Sequence, residues 1–200
     1  DLRVSSYNLL TGSAEPKSTI IKTKFKNIDI IPSNRDMAGA EVELIGREHR
    51  ESLLKKALAL LDSEYDYIFI DCPPSIGLVS INGLCASDSF IVPMQCEYLS
   101  MEGLSQLMVS VREVKRLYNP NLDLEGIVLT MYDGRLNLTQ QVVAEVKKYF
   151  AKQLYSTAIP RSVRVSEAPS YGMPVQYYDP KGKGSAAYNA LAKGFLKRNR

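Results

Sequence analysis

Histidine, cysteine and long apolar runs are all scarce in this 200-residue chain, and each scarcity removes a class of function. The single histidine, His49 in "GREHRES", has no second histidine and no cysteine near it. A His-based metal site and a Ser–His or Cys–His nucleophile therefore both lack a partner, and His49 reads as a solvent-facing residue at a helix start. The three cysteines, Cys72, Cys85 and Cys96, are an odd number, and their spacing matches neither a zinc site nor a disulfide framework. Two of them, in apolar or strand-end surroundings, read as small buried hydrophobes of a reducing cytoplasm. No apolar run approaches the roughly 20 residues of a membrane helix. There is no internal repeat, and no Gly/Pro/Ser-rich stretch divides the chain.

What is present is ample core material. With 45% hydrophobic residues, the chain is expected to form one soluble domain over residues 1–200. Net charge is only +3, but it is unevenly placed. Residues 161–200 hold eight Lys and Arg against two acids, a local +6, which leaves −3 for residues 1–160. A basic end on a slightly acidic body suits a polyanion such as DNA or a phospholipid surface. A solvated basic helix that keeps the protein soluble fits the same balance.

The hydrophobic pattern alternates in period. Short strands are expected at 28–31, 67–70, 89–93, 124–131 and 154–159, and helices at 51–61, 78–86, 102–118, 139–150 and 185–196. In the third of these helices, Leu104, Leu107, Met108, Val111, Val114 and Leu117 fall on a single stripe, and Asn119-Pro120 ends it. Strand–helix alternation at this spacing implies an α/β fold with a doubly wound, mostly parallel sheet and helices on both faces.

The most informative stretch is Tyr65-Asp66-Tyr67-Ile68-Phe69-Ile70-Asp71-Cys72-Pro73-Pro74-Ser75. Tyr67 to Ile70 has no polar face, as in a strand covered on both sides. It delivers Asp71 to the strand's C-terminal end, where open α/β sheets bind ligands. The paired prolines stiffen the turn that follows, and Gly77 permits a bend there. An Asp so placed can hold a Mg²⁺-bound water beside a nucleotide phosphate; a strand that merely ends in Asp is the plainer alternative.

The segment "YDYIFIDCPPSIGLVSINGLCASDSFIVPMQCEYLSMEGLSQL" resembles the ParA/Soj family of chromosome- and plasmid-partitioning ATPases, relatives of the cell-division protein MinD. The resemblance continues upstream in "IDIIPSNRDMAGAEVELIGREHRESLLKKAL" and downstream in "EGIVLTMYDGRLNLTQQVVAEVKKYF", "AIPRSVRVSEAPSYGMPV" and "YDPKGKGSAAYNALAK". It implies a P-loop NTPase-like fold, ATP and Mg²⁺ as cofactors, a homodimer in the ATP-bound state, sequence-independent DNA binding on the nucleoid, and a ParB-type centromere-binding protein as the stimulating partner.

One departure stands out. The family begins with a strand and a deviant P-loop, KGGVGKT, followed by a switch Asp, whereas this chain contains no G-x-x-x-x-G-K-[ST]. Gly182 and Gly184 in "DPKGKGSAA" have neither the spacing nor the preceding strand. The segment from Asp1 to Leu10 resembles the family just downstream of that switch. The expectation is thus a fragment without its first βα unit and with negligible ATP hydrolysis of its own, its sheet left with a gap or closed by swapping; a natural paralogue without a P-loop is the alternative. No catalytic residue is assigned.

By the same resemblance, Asp71 is the metal residue, acting through water, and Cys72, Pro73, Pro74, Ser75 and Gly77 form the nucleotide-sensing switch. Thr130, Met131, Pro160 and Arg161 would flank the adenine, although Pro160 can also simply end a strand. Glu102 would lie near the ribose or the partner subunit, with a helix N-terminal acid as the alternative. Arg135 and Arg164, with Lys181 and Lys183 around Gly182, would neutralise DNA phosphates without reading bases. Either arginine could instead pair with a nearby acid, Asp133 or Glu167. A MinD-like ATPase with its C-terminal helix on lipid is less well served, because "AAYNALAKGFLKRNR" offers only Leu191, Phe195 and Leu196 as large apolar side chains; no membrane partner is favoured. A scaffold that binds DNA or a partner without a P-loop is the third reading. A nitrogenase-type reductase is set aside because the cysteines do not match its cluster ligands.

Overall fold

In the computed structural model, residues 4–199 are described, the side chain of Asp62 excepted. Asp1, Leu2 and Arg3 of the N-terminal segment, and Arg200 of the basic end, lie outside them. In chain order the elements are α1 (Ser6–Thr11), β1 (Ile21–Lys22), β2 (Asp29–Ile30), α2 (Met37–Glu43), α3 (Leu53–Leu58), α4 (Leu78–Ala86), β3 (Ser89–Gln95), α5 (Tyr98–Leu117), β4 (Asp123–Thr130), α6 (Asn137–Phe150), α7 (Val163–Glu167), α8 (Val175–Tyr178) and α9 (Lys183–Arg198), with four short 3₁₀ turns among them. They fall into two compact units: residues up to Ser89 with Val109–Asp123, and Phe90–Met108 with Leu124 onward.

The first unit is mostly helical. Leu9 and Leu10 of α1 face opposite ways into two small cores. Leu9 joins Leu58 and Leu61, whereas Leu10 joins Ala40 and Leu44. Two buried asparagines tie the helices together. Asn82 of α4 accepts from the Leu54 amide (3.1 Å) and donates to the Arg50 carbonyl (2.7 Å). Asn119 donates to the carbonyls of Leu84 (3.0 Å) and Ser87 (2.8 Å), closing the C-terminal end of α4, where helical carbonyls lack partners. β1 and β2 form an antiparallel pair, with Ile21 opposite Ile30.

The second unit contains the larger of the two strand pairs. β3 lies beside β4, and β4 is continuously buried from Gly126 to Leu129 because both its faces are covered. Its alternation assigns the faces. Ile127 and Leu129 pack with Val92, Met94, Leu104, Val142 and Val146, while Val128 packs with Tyr155, Ile159, Leu191 and Phe195. The segment after α6 runs parallel to β4, with bridges Ile127↔Leu154 and Tyr132↔Pro160. Between the bridges the pairing is irregular: the Ile127 carbonyl accepts from the Tyr155 N–H and the Leu129 carbonyl from the Ile159 N–H, so two residues of β4 span four of its neighbour. The strand expected at 154–159 therefore appears as two bridges rather than one ladder.

Three other expectations change. Tyr67–Ile70 runs without joining a β-ladder among the described residues, although its composition is that of a covered strand. A strand is defined by its neighbours, and here Tyr67, Ile68 and Phe69 are exposed while Ile70 packs on the Leu9–Leu58–Leu61 core. The helix expected at 51–61 is only the six-residue α3, entered through a 3₁₀ turn at Arg50–Ser52. Leu117, placed on the inward stripe of α5 with Leu104, Val111 and Val114, is exposed, whereas those three are buried. Among the described residues no helix is long and apolar enough to cross a membrane.

Candidate nucleotide and polyanion sites

In the first unit, the loop from Asp71 to Gly77 is held from behind by three groups. The buried Ser80 hydroxyl on α4 donates to the carbonyls of Ser75 (2.6 Å) and Pro73 (3.3 Å). The Glu41 carboxylate on α2 accepts from the Val79 amide (3.5 Å) at the first turn of α4, where free amides and the helix dipole favour an anion. The third contact is at Gly83: a Cβ there would stand 2.6 Å from Cys72 Sγ. Cys72 is exposed as a residue, yet its thiol lies against α4, and burial pushes that thiol's pKa up, with the Asp71 charge adding to it. Burial likewise raises Cys85, to about 11. Neither thiol is tuned for nucleophilic work.

Asp71 itself is exposed. It lines a cavity of about 550 Å³ together with Ser6, Ser33, Glu41, Cys72 and Ser75. Carboxylate and hydroxyl oxygens are donors of the kind a hard divalent cation such as Mg²⁺ takes, but among the described residues no three His, Cys, Asp or Glu side chains gather as a metal site, so Asp71 would hold such an ion chiefly through water. Sequence reasoning names Asp71 and its loop but misses Glu41, Ser80 and Gly83. The only signal for these was the short polar or small side chains at α2 and at helical spacing in α4, which also suit ordinary packing.

In the second unit, the four residues expected to flank a base come together. Thr130 ends β4, and Met131 follows with φ of +48°, a left-handed conformation uncommon for a side chain of this size. The chain then re-enters pairing, Tyr132 N–H donating to the Ile159 carbonyl (3.0 Å) beside the Tyr132↔Pro160 bridge. Arg161 Nη2 reaches Met131 Sδ at 3.8 Å. A half-exposed thioether, a proline ring and a guanidinium thus line one strand-end shelf. Glu102 lies elsewhere in this unit, exposed on α5 one turn beyond its start, and accepts from Gln106 Nε2 (3.4 Å). It is not in the first turn, so the helix-terminal role considered for it does not apply.

The two candidate polyanion arginines both have acid partners. Arg135 Nε and Nη2 donate to Asp133 at 2.9 and 2.6 Å, and Asp133 also accepts the backbone N–H of Arg135 (3.1 Å). These bonds hold the Asp133 carboxyl down at about 2. Arg164 Nη1 lies 3.1 Å from Glu167 Oε2, with its guanidinium over the Tyr178 ring. Lys181 and Lys183 are exposed at the start of α9. There the Asp179 carboxylate fills the space beside Gly182, so the helix start already faces a negative charge.

Comparisons with known proteins agree with this architecture. The AAA domain family matches residues 1–124. The chain is 50% identical to the sporulation initiation inhibitor protein Soj of Bacillus subtilis over 193 residues, covering 96% of this chain and 76% of Soj. It is 46% identical to the chromosome partitioning protein ParA of Myxococcus xanthus, covering 96% of this chain and 68% of that protein. Among solved structures, cobyrinic acid a,c-diamide synthase from Mycobacterium smegmatis with bound ATP analogue and magnesium superposes with a TM-score of 0.83 at 35% identity, over 98% of this chain and 73% of that one. The cell-division ATPase MinD of Pyrococcus furiosus, at 22% identity and a TM-score of 0.78, shares the fold. The fold is that of the P-loop NTPases, and the chain belongs to the ParA/Soj family of partitioning proteins.

Proposed function

We propose that the chain supplies the base-binding, metal-binding and DNA-binding parts of an ATP-dependent partitioning switch. The observation that carries this reading is the shelf at the end of β4, where the parallel bridge Tyr132↔Pro160 sets Thr130 and Met131 beside Pro160 and Arg161. A flat ring and backbone groups at a strand's C-terminal end hold a nucleobase with little demand on side-chain identity. In this reading Asp71 holds Mg²⁺ through a water, and the Cys72–Gly77 turn reports the state of the nucleotide. When bound, ATP would supply the phosphate charge that the switch senses, and Mg²⁺ would partly neutralise it. Glu102 faces the ribose or a second subunit, and residues 1–200 belong to a single ParA-like domain.

The output is DNA. Arg135, Arg164, Lys181 and Lys183 neutralise phosphates without reading bases, an ATP-bound homodimer presents them to the nucleoid in the cytoplasm, and a ParB-type protein ends the bound state. The names of the relatives and the basic balance of residues 161–200 support this part. Photocrosslinking of an azido-ATP to the full-length gene product, followed by peptide mapping, tests the nucleotide part. Label on the peptides carrying residues 130–132 and 159–161 is expected; label confined to other peptides refutes the shelf.

A further inference from the structure

We propose that Asp133 and Glu167 are built-in counterions that park Arg135 and Arg164 against the protein and set how tightly it holds a polyanion. The proposal rests on the DNA-binding reading of the two arginines and adds what limits it.

Three observations carry it. First, the parked state uses the arginine's best edge. Arg135 presents Nε and Nη2 to both oxygens of Asp133, the bidentate fork that a phosphate would otherwise take. Second, each acid is anchored independently of the guanidinium it neutralises. Asp133 accepts the backbone N–H of Arg135 and its side chain is 29% exposed, against 89% for Arg135. Glu167 accepts the Tyr178 hydroxyl at 3.0 Å, and Tyr178 is itself stacked on Tyr171 at 4.9 Å. When an arginine swings out, its acid keeps one hydrogen bond and stays in place, and an exposed carboxylate oxygen freed of the arginine can be solvated by water. Third, the arrangement occurs twice, on the loop after β4 and on α7, at the two positions expected to meet DNA.

The consequence is graded affinity. An exposed pair of this kind is weak and screened by salt, so a closely spaced row of phosphates displaces the acids where a single phosphate does not. The parked arginines reject isolated anions and respond to dense ones.

The test is fluorescence anisotropy with a random-sequence DNA duplex over a range of salt, using the full-length gene product with Mg·ATP. Asp133→Asn and Glu167→Gln keep an oxygen for the anchoring donors and remove the charge. Each is expected to tighten binding about two- to five-fold, and the pair multiplicatively. Glu48→Gln, which removes an equal charge at an exposed position in the other unit, gives a smaller gain. The gain from Asp133→Asn disappears when Arg135→Ala is also present. If Arg135→Ala and Arg164→Ala weaken binding but the acid variants do no better than Glu48→Gln, the counterion proposal is wrong and the DNA reading stands. If the arginine variants bind like the parent, or no variant binds at low salt, both fall.

Discussion

The carboxylate of Glu41 occupies the space that a Cβ on Gly77 would fill. It also lines the cavity at Asp71. Helix α2 is thereby joined to the turn that follows the strand-end carboxylate, through a residue that no motif singles out. Gly77 has φ of −102°, which any residue adopts, so glycine is there for the approach of Glu41 rather than for its backbone freedom.

That relationship predicts a coupled pair. Glu41→Ala and Gly77→Ala should each destabilise by about 1 kcal/mol, the usual range for losing a helix-terminal acceptor. Together they should cost no more than one alone, because the alanine methyl displaces the same carboxylate that Glu41→Ala removes. A double-mutant cycle by urea unfolding checks this. Additive losses would show that the two residues act separately.

Met131 makes a second prediction. Its positive φ costs a residue with a side chain roughly 1–2 kcal/mol, against about 1 kcal/mol of chain entropy for glycine. Met131→Gly should therefore leave stability within about 1 kcal/mol, whereas Met131→Val should destabilise clearly, since a β-branched residue tolerates that conformation worst. Thermal melts of the two variants decide it. Equal stability of both would mean that the turn relaxes out of the left-handed region.

These two residues also mark what the sequence made legible. α4 appears within the bounds expected for it, and α6 and α9 within two residues of theirs; α6 does so because Val142 and Val146 form a clear apolar stripe. The expectation that Thr130, Met131, Pro160 and Arg161 share one place came from resemblance, and Met131 and Arg161 lie in contact. The short helices α1, α2, α7 and α8 span four to seven residues, too few turns for a period to register. The grip of Ser80, Glu41 and Gly83 on the Asp71 loop was hidden for another reason. Each contact joins residues far apart in the chain or uses a side chain common at any helix surface. Tyr67–Ile70 shows the converse: a strand-like composition does not make a ladder without a neighbour.

The Arg135–Asp133 pair makes a prediction about acid. Asp133 titrates at about 2 in the folded protein, against an ordinary value of 3.8. A lowered folded-state value means that the pair contributes stability above about pH 4 and loses it as pH falls towards 2. Carbon-detected NMR of the Asp133 carboxyl should give a midpoint near 2 in the parent and a higher one in Arg135→Ala. A midpoint near 3.8 in the parent would mean that the pair does not persist in solution.

Arg198 fastens the end of α9. Its guanidinium lies 3.9 Å from the Tyr155 ring centroid and donates to the Glu125 carbonyl at 2.9 Å, while the Tyr155 hydroxyl donates to Glu125 Oε1 at 2.6 Å. Arg198→Ala should cost about 1 kcal/mol and speed amide exchange over the last two turns of α9. Arg198→Lys should recover little, because a point charge cannot both stack on the ring and reach the carbonyl. Unchanged exchange in Arg198→Ala would show that the helix is held by its apolar face alone.

The central claim is that nucleotide state at one part of the protein controls DNA binding at another. DNA affinity of the full-length gene product, measured with and without Mg·ATP for the parent and for Asp71→Ala, tests it most directly. Mg·ATP is expected to raise the parent's affinity for DNA of any sequence, and Asp71→Ala is expected to abolish the increase while leaving the nucleotide-free affinity unchanged. DNA binding that ignores Mg·ATP in the parent, or an increase that survives Asp71→Ala, would contradict it.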